Sequence, residues 1–113
     1  MAPEARPRTL EIYSEETGRE PYTEWIKSIR DGRTQARILR RIDRIQQGNF
    51  GDYKSVGEGV FELRMFFGPG YRAYFAEDGD TVVLLLCGGD KSTQDDDIER
   101  AKAYWKDYKE RTR

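Results

Sequence analysis

The sequence predicts an α+β domain: a helical hairpin packed on a small, mainly antiparallel twisted sheet, followed by a last helix, in the order β-α-α-β-β-β-α. Two observations carry this. Apolar residues recur at helical spacing between residues 21 and 47 and again after residue 92. Between Val60 and Cys87 they either alternate with period two or run continuously between turn signals. A chain of 113 residues can bury one modest core and no more.

Residues 1–8 contain Pro3 and Pro7 and show no periodicity, so they read as a disordered lead-in to a single domain over 9–113. Thr9 to Tyr13 alternates, with Leu10 and Ile12 on one side, and reads as a strand. Pro21 suits the first turn of a helix. Tyr22, Trp25, Ile26 and Ile29 follow at helical spacing, with Gly32 the expected C-cap. A second helix is predicted from Arg33 to Gln47, with Ile38, Leu39, Ile42 and Ile45 inward and Gly48 at its end. Its arginines fall on the opposite, wet face. Lys54 falls in what reads as a loop before the next strands.

From Val60 the period changes. Phe61, Leu63, Met65 and Phe67 alternate against Glu62, Arg64 and Phe66. Gly68-Pro69-Gly70 is a turn, and Tyr71 to Ala76 is the returning strand. Asp78-Gly79 signals a two-residue hairpin. Thr81 to Cys87 is apolar throughout, as in a central strand covered on both faces, and Gly88-Gly89 breaks it. Ser92-Thr93 then supplies an N-cap, and Asp95-Asp96-Asp97 complements the helix dipole. Ile98, Ala101, Trp105 and Tyr108 form the stripe of the last helix.

Composition narrows the chemistry. There is one cysteine, Cys87, and no histidine, which excludes the usual zinc sites and the Ser-His-Asp and Cys-His triads. Acid–base work must fall to Lys, Arg, Tyr, Asp or Glu. The lone cysteine, the lack of an apolar leader in residues 1–7 and the lack of a bilayer-length apolar run point to a cytoplasmic protein with no membrane contact. A net charge of −1 argues against binding nucleic acid by bulk charge. The positive charge is nonetheless concentrated at Lys27, Arg30, Arg33, Arg37, Arg40, Arg41 and Arg44, which leaves room for a local basic surface.

The most distinctive stretch is Gly51 to Gln94. Gly51-Asp52-Tyr53-Lys54 leads to Val56-Gly57-Glu58-Gly59-Val60. Glu62-Leu63-Arg64, the turn Phe67-Gly68-Pro69-Gly70-Tyr71-Arg72 and Leu86-Cys87-Gly88-Gly89-Asp90-Lys91-Ser92-Thr93-Gln94 follow. This series resembles the RelE/ParE toxin superfamily, and within it the HigB-like addiction-module killer proteins also found in phage. The resemblance implies a RelE-like fold and the toxin of a type II toxin–antitoxin system. Such toxins are mostly metal-independent endoribonucleases that cut mRNA on the ribosome. It also implies a cognate helix-turn-helix antitoxin that neutralises the toxin and reaches operator DNA, so that the toxin meets DNA only through it. No cofactor is implied. A ParE-like branch poisons DNA gyrase instead, and a toxin-like partner without activity, serving only in operon repression, is a third reading.

RNA cleavage without a metal proceeds by in-line attack of the ribose 2′-hydroxyl on the adjacent phosphate, and charge gathers on the phosphoryl oxygens. Fixed cations there are the main contribution a protein can make, and the planar fork of Arg suits a phosphate. The resemblance assigns Arg72 to the cleaved phosphate, Arg64 to a supporting role and Lys91 to the basic position before the last helix. Lys54 is a candidate substrate contact, and Arg37, Arg40, Arg41 and Arg44 are a candidate RNA or ribosome surface. The proton acceptor stays open among Lys91, Asp90 and Glu62. The histidines of some HigB toxins are absent, and Asp95 to Asp97 stand where the family often offers a tyrosine. An odd number of loop residues between the strands puts Arg64 and Arg72 on one face. A two-residue Asp78-Gly79 turn then puts Arg72 opposite Leu85, with Cys87, Gly89 and Lys91 following on that face. The plainer alternative pairs Arg64 and Arg72 with Glu62 or Glu77 on an exposed strand.

Overall fold

In the computed structural model, which describes residues 7–112, β1 (Thr9–Ile12) leads to α1 (Pro21–Ser28) and α2 (Gly32–Asp43). A 3-10 turn at Arg44–Gln47 follows. Next come β2 (Tyr53–Gly57), β3 (Val60–Arg64), β4 (Arg72–Asp78) and β5 (Val82–Gly89). A short 3-10 turn, Lys91–Thr93, opens α3 (Gln94–Arg111). The strands form one sheet in the order β1-β5-β4-β3-β2. Only β1 and β5 run parallel; the other neighbours are antiparallel. This is the α+β architecture that the periodicities predict, with one strand more.

Period-two alternation splits the core into two layers. Leu63, Met65, Ala73, Phe75, Val83 and Leu85 face α1 and α2, where Tyr22, Ile26, Ile38, Ile42 and Ile45 meet them. Val60, Tyr74, Ala76, Leu84, Leu86 and Cys87 face α3, where Ala101 and Trp105 meet them. The apolar run in β5 is therefore covered on both faces, as expected. Burying a side chain such as Leu84 or Leu86 stabilises by roughly 1.5–3 kcal/mol, which favours an interior place for that run, between β1 and β4, over an edge.

Several local expectations are corrected. Gly32 does not cap α1; the chain leaves that helix at Ile29, and Gly32 begins α2. Asp31 is the N-cap of α2 and accepts from the Arg33 N–H. The helix tightens to 3-10 at Arg44, and Gly48 ends it in the left-handed region at φ 79°. Leu39 is 40% exposed and Ile12 is 42% exposed, because each sits at the margin of its inward stripe. Tyr13 takes the buried place beside α3. Tyr53–Gly57 is a strand and not a loop. It was unreadable because, as an exposed edge strand, it carries no apolar alternation.

Gly88 and Gly89 do not break β5. They pair with Ala73 and Arg72 and leave room for neighbours: a Cβ on Gly88 would run into the Trp25 ring, and one on Gly89 into the Asp97 carboxyl. The β4–β5 hairpin closes through Gly79-Asp80-Thr81 between the paired Asp78 and Val82, and a bulge interrupts the ladder between Tyr74 and Phe75. Arg72 thus lies opposite Gly89, not Leu85. Residues 1–6 of the expected lead-in lie outside the described residues, and the Arg8 N–H donates to the Gln46 carbonyl at 2.7 Å. Among the described residues no helix is long and apolar enough to cross a membrane.

Two outcomes follow from this packing. Gly88→Ala forces the Trp25 ring aside and is expected to cost about 1–3 kcal/mol, seen as a lower urea midpoint at unchanged slope. Burial pushes the Cys87 thiol up to about 12, and only the thiolate reacts. Alkylation by iodoacetamide at about pH 8 should therefore be negligible in the folded protein and rapid in urea.

Candidate nucleic-acid interface

The α3-facing side of β3 and β4 changes character along its length. Val60 and Ala76 form an apolar pair, Glu62 and Tyr74 a polar one, and Arg64 and Arg72 a cationic one. Seven residues, Met65 to Tyr71, join the last pair, so both arginines project from one face.

Glu62 is fully buried. Its Oε2 accepts from the Tyr74 hydroxyl at 3.1 Å and from Gln94 Nε2 at 2.9 Å. Arg72 Nε stands 3.5 Å from the same oxygen. Burial first, and then the neighbouring Glu62 charge, raise the Tyr74 pKa, so its hydroxyl stays a donor. On its outer side Arg72 donates from Nη1 to the Gly70 carbonyl at 2.9 Å. The guanidinium is thus fixed by one hydrogen bond at Nη1 and by the charge of Glu62 beside Nε, which itself makes no hydrogen bond among the described residues, with a side chain only 12% exposed. The plainer reading of a pairing with Glu62 describes the contact correctly, but the pair is buried and not a solvated strand contact.

Gly70 completes the fit. At φ +78° it lies where a Cβ would come within 3.3 Å of Arg72 Nη1 and 3.5 Å of Lys91 Cβ. Lys91 opens the 3-10 turn whose N-cap is Asp90. The Asp90 Oδ1 accepts from the Ser92 N–H at 2.8 Å and from the Ser92 hydroxyl at 2.5 Å, and the Ser92 hydroxyl is the main cause of its lowered pKa.

Arg64, Arg72 and Lys91 line one open cleft of about 470 Å³ together with the loop from Met65 to Gly70. A second cleft of about 400 Å³ adjoins it, lined by Arg37, Arg40, Arg41 and Arg44 of the second helix and its 3-10 end. Arg64, Met65, Phe66 and Phe67 belong to both. The helix arginines therefore do more than coat a wet face. Arg37 Cζ stacks 4.0 Å above the Phe67 ring, and Arg41 Nη2 reaches the Asp52 carbonyl at 3.4 Å. Arg64 is steadied by Asp52, with Nε 3.3 Å from Oδ2.

Lys54 is not brought into either cleft. It is exposed on β2, directly opposite Glu62 in the register. Of the candidate proton acceptors, Lys91 alone lines a cation-rich cleft; Glu62 lies behind Arg72, and Asp90 is committed to its turn. Sequence reading missed Asp97, which is 2% exposed and not a surface dipole partner. It accepts from Thr93 Oγ1 at 2.5 Å and pairs with Arg100 at 3.0 Å, and burial raises its pKa. The available signal was Gly89, whose missing side chain makes its place. Among the described residues no group of three or more His, Cys, Asp or Glu stands where it could hold a metal ion.

The fold and site define a small α+β protein with paired arginine-lined clefts at one end of its sheet. Residues 24–107 match the family described as phage derived protein Gp49-like (DUF891), and the chain belongs to that family. The match spans every cation of the two clefts. The chain is also 52% identical to an uncharacterized protein of Haemophilus influenzae over 81 residues, which are 72% of this chain and 82% of that protein. The family is associated with toxins of toxin–antitoxin systems.

Removing one partner of a buried ion pair strands the other. Glu62→Gln is expected to lower stability by about 3 kcal/mol. Arg72→Gln should cost less in that background than in the wild type, as read by urea unfolding of the four-member cycle.

Proposed function

We propose that this protein is the toxin of a type II toxin–antitoxin pair, a RelE/HigB-type, ribosome-dependent mRNA endoribonuclease that works in the cytoplasm without a metal. The observation that carries this reading is the convergence of Arg64, Arg72 and Lys91 on one cleft, with Arg72 pinned from behind by a buried carboxylate. A guanidinium fixed by a hydrogen bond at Nη1 and a buried ion pair beside Nε needs little reorganisation when charge develops in front of it, which is the condition for electrostatic catalysis.

In this mechanism the ribose 2′-oxygen forms a bond to phosphorus as the bond to the 5′-oxygen breaks. The products are a 2′,3′-cyclic phosphate and a 5′-hydroxyl. Arg72 and Arg64 take the charge on the phosphoryl oxygens. Lys91 is the acceptor for the 2′-hydroxyl proton, and water protonates the leaving 5′-oxygen. Glu62 positions Arg72 and does not meet the substrate. Lys54, off the cleft on the edge strand, contacts RNA or ribosome outside the reacting nucleotide. The partner is a cognate helix-turn-helix antitoxin, which blocks the toxin and carries it to operator DNA.

Induction in bacteria, with and without the neighbouring reading frame, followed by mapping of mRNA 5′ ends tests the reading. Cuts within translated messages are expected, suppressed by the neighbour. DNA breaks with intact messages would assign the protein to gyrase poisoning, and normal growth to a repression partner without activity. Arg72→Ala should reduce cleavage by about 100- to 1000-fold. Lys91→Arg puts a permanent cation in place of the proton acceptor and should cost about 100-fold; a mild effect assigns Lys91 to charge alone.

A further inference from the structure

The alternation of β3 carries on past its end. Leu63 and Met65 enter the core, and Phe66 falls on the side of Arg64 and Arg72. There it is 79% exposed, against 40–43% for the other exposed large hydrophobics among the described residues. An exposed Phe forgoes the burial energy that a core position supplies, and no core layer of the fold includes this ring. It stands on the rim shared by the two cation-lined clefts, and its ring lies 5.6 Å from Arg64 Cζ.

We infer that Phe66 is a stacking platform for an unpaired nucleobase, with the phosphates on either side of that nucleotide lying in the two clefts. The inference rests on the RNA-cleaving reading above and deepens it. An apolar helix or strand docked on Phe66 would have to cover guanidinium groups on both sides with no charge to meet them. A single RNA strand answers both features, since its phosphates meet Arg72 and Lys91 on one side and the helix arginines on the other. Its bases offer a π-face to the ring. Stacking of this kind is tolerant of sequence because every base has such a face. Phe66 therefore supplies affinity for single-stranded RNA and little preference among bases.

Cleavage of a translated message in a bacterial extract tests this with Phe66→Ala, Phe66→Leu and Phe66→Trp. The Ala and Leu variants are expected to cut about 5- to 150-fold less efficiently, the range set by stacking energies for one base. The Trp variant should stay close to wild type, and the melting temperatures should be unchanged because the ring is not in the core. Phe66→Leu cutting like wild type overturns the inference and leaves the nuclease reading standing. A wild type that cuts no message removes both. A 2′-O-methyl oligoribonucleotide, which cannot be cleaved, should bind wild type more tightly than Phe66→Leu, whereas the same backbone without bases should bind the two alike. A wild type that does not distinguish the two chains overturns the stacking role. So does a Phe66→Leu variant that binds RNA normally but loses a protein partner.

Discussion

The contact between Glu62 and Arg72 marks where the sheet stops being core and becomes surface. A carboxylate with no solvent access is tolerated only when donors surround it. Tyr74 and Gln94 supply them from β4 and α3, and Arg72 of β4 adds its opposite charge at 3.5 Å. That requirement ties the start of the last helix to the middle of the sheet. It also turns Arg72 so that one edge faces inward and the other faces the cleft. Gly70 and Gly89 follow from the same constraint. The first lets the loop close over Arg72 and Lys91, and the second lets Asp97 and Thr93 seat the helix start against β5.

This arrangement explains how a chain with a net charge of −1 can present a locally cationic surface. Its cations are gathered, with Arg37, Arg40, Arg41 and Arg44 beside one cleft and Arg72 and Lys91 beside the other, while Arg64 serves both. The exposed carboxylates Asp95 and Asp96 stand outside both linings, in the first turn of α3. At physiological ionic strength charges beyond about 8 Å are largely screened. Local geometry then counts for more than the overall balance, and held guanidinium groups count for more than mobile lysines.

The legibility of the site differed residue by residue. Arg64 and Arg72 could be placed on one face from the spacing of two strands around a Gly-Pro-Gly turn, and the register has them directly opposed. The partner of Arg72 on β5 could not be placed, because a three-residue connection and a bulge shifted the ladder without leaving a mark in the apolar pattern. Glu62 sat correctly on the polar side of its strand, yet its burial depends on Tyr74 and on Gln94, 32 residues away. Lys54 read as loop because an edge strand with one solvated side has no alternation to show.

What the sequence alone determined is therefore the set of elements and the residue types they carry: three helices, a sheet with a doubly covered strand, and clustered arginines in a chain with no histidine. Those features follow from local period and composition. What only the tertiary structure decided is which polar groups lost their water. Glu62 and Asp97 look in sequence like the exposed acids around them, and the alternation that sets Phe66 beside Glu62 and Arg64 does not tell whether its ring is covered. Burial is set by what packs from distant parts of the chain. The start of the last helix closes over Glu62, β5 at Gly89 closes over Asp97, and nothing among the described residues closes over Phe66.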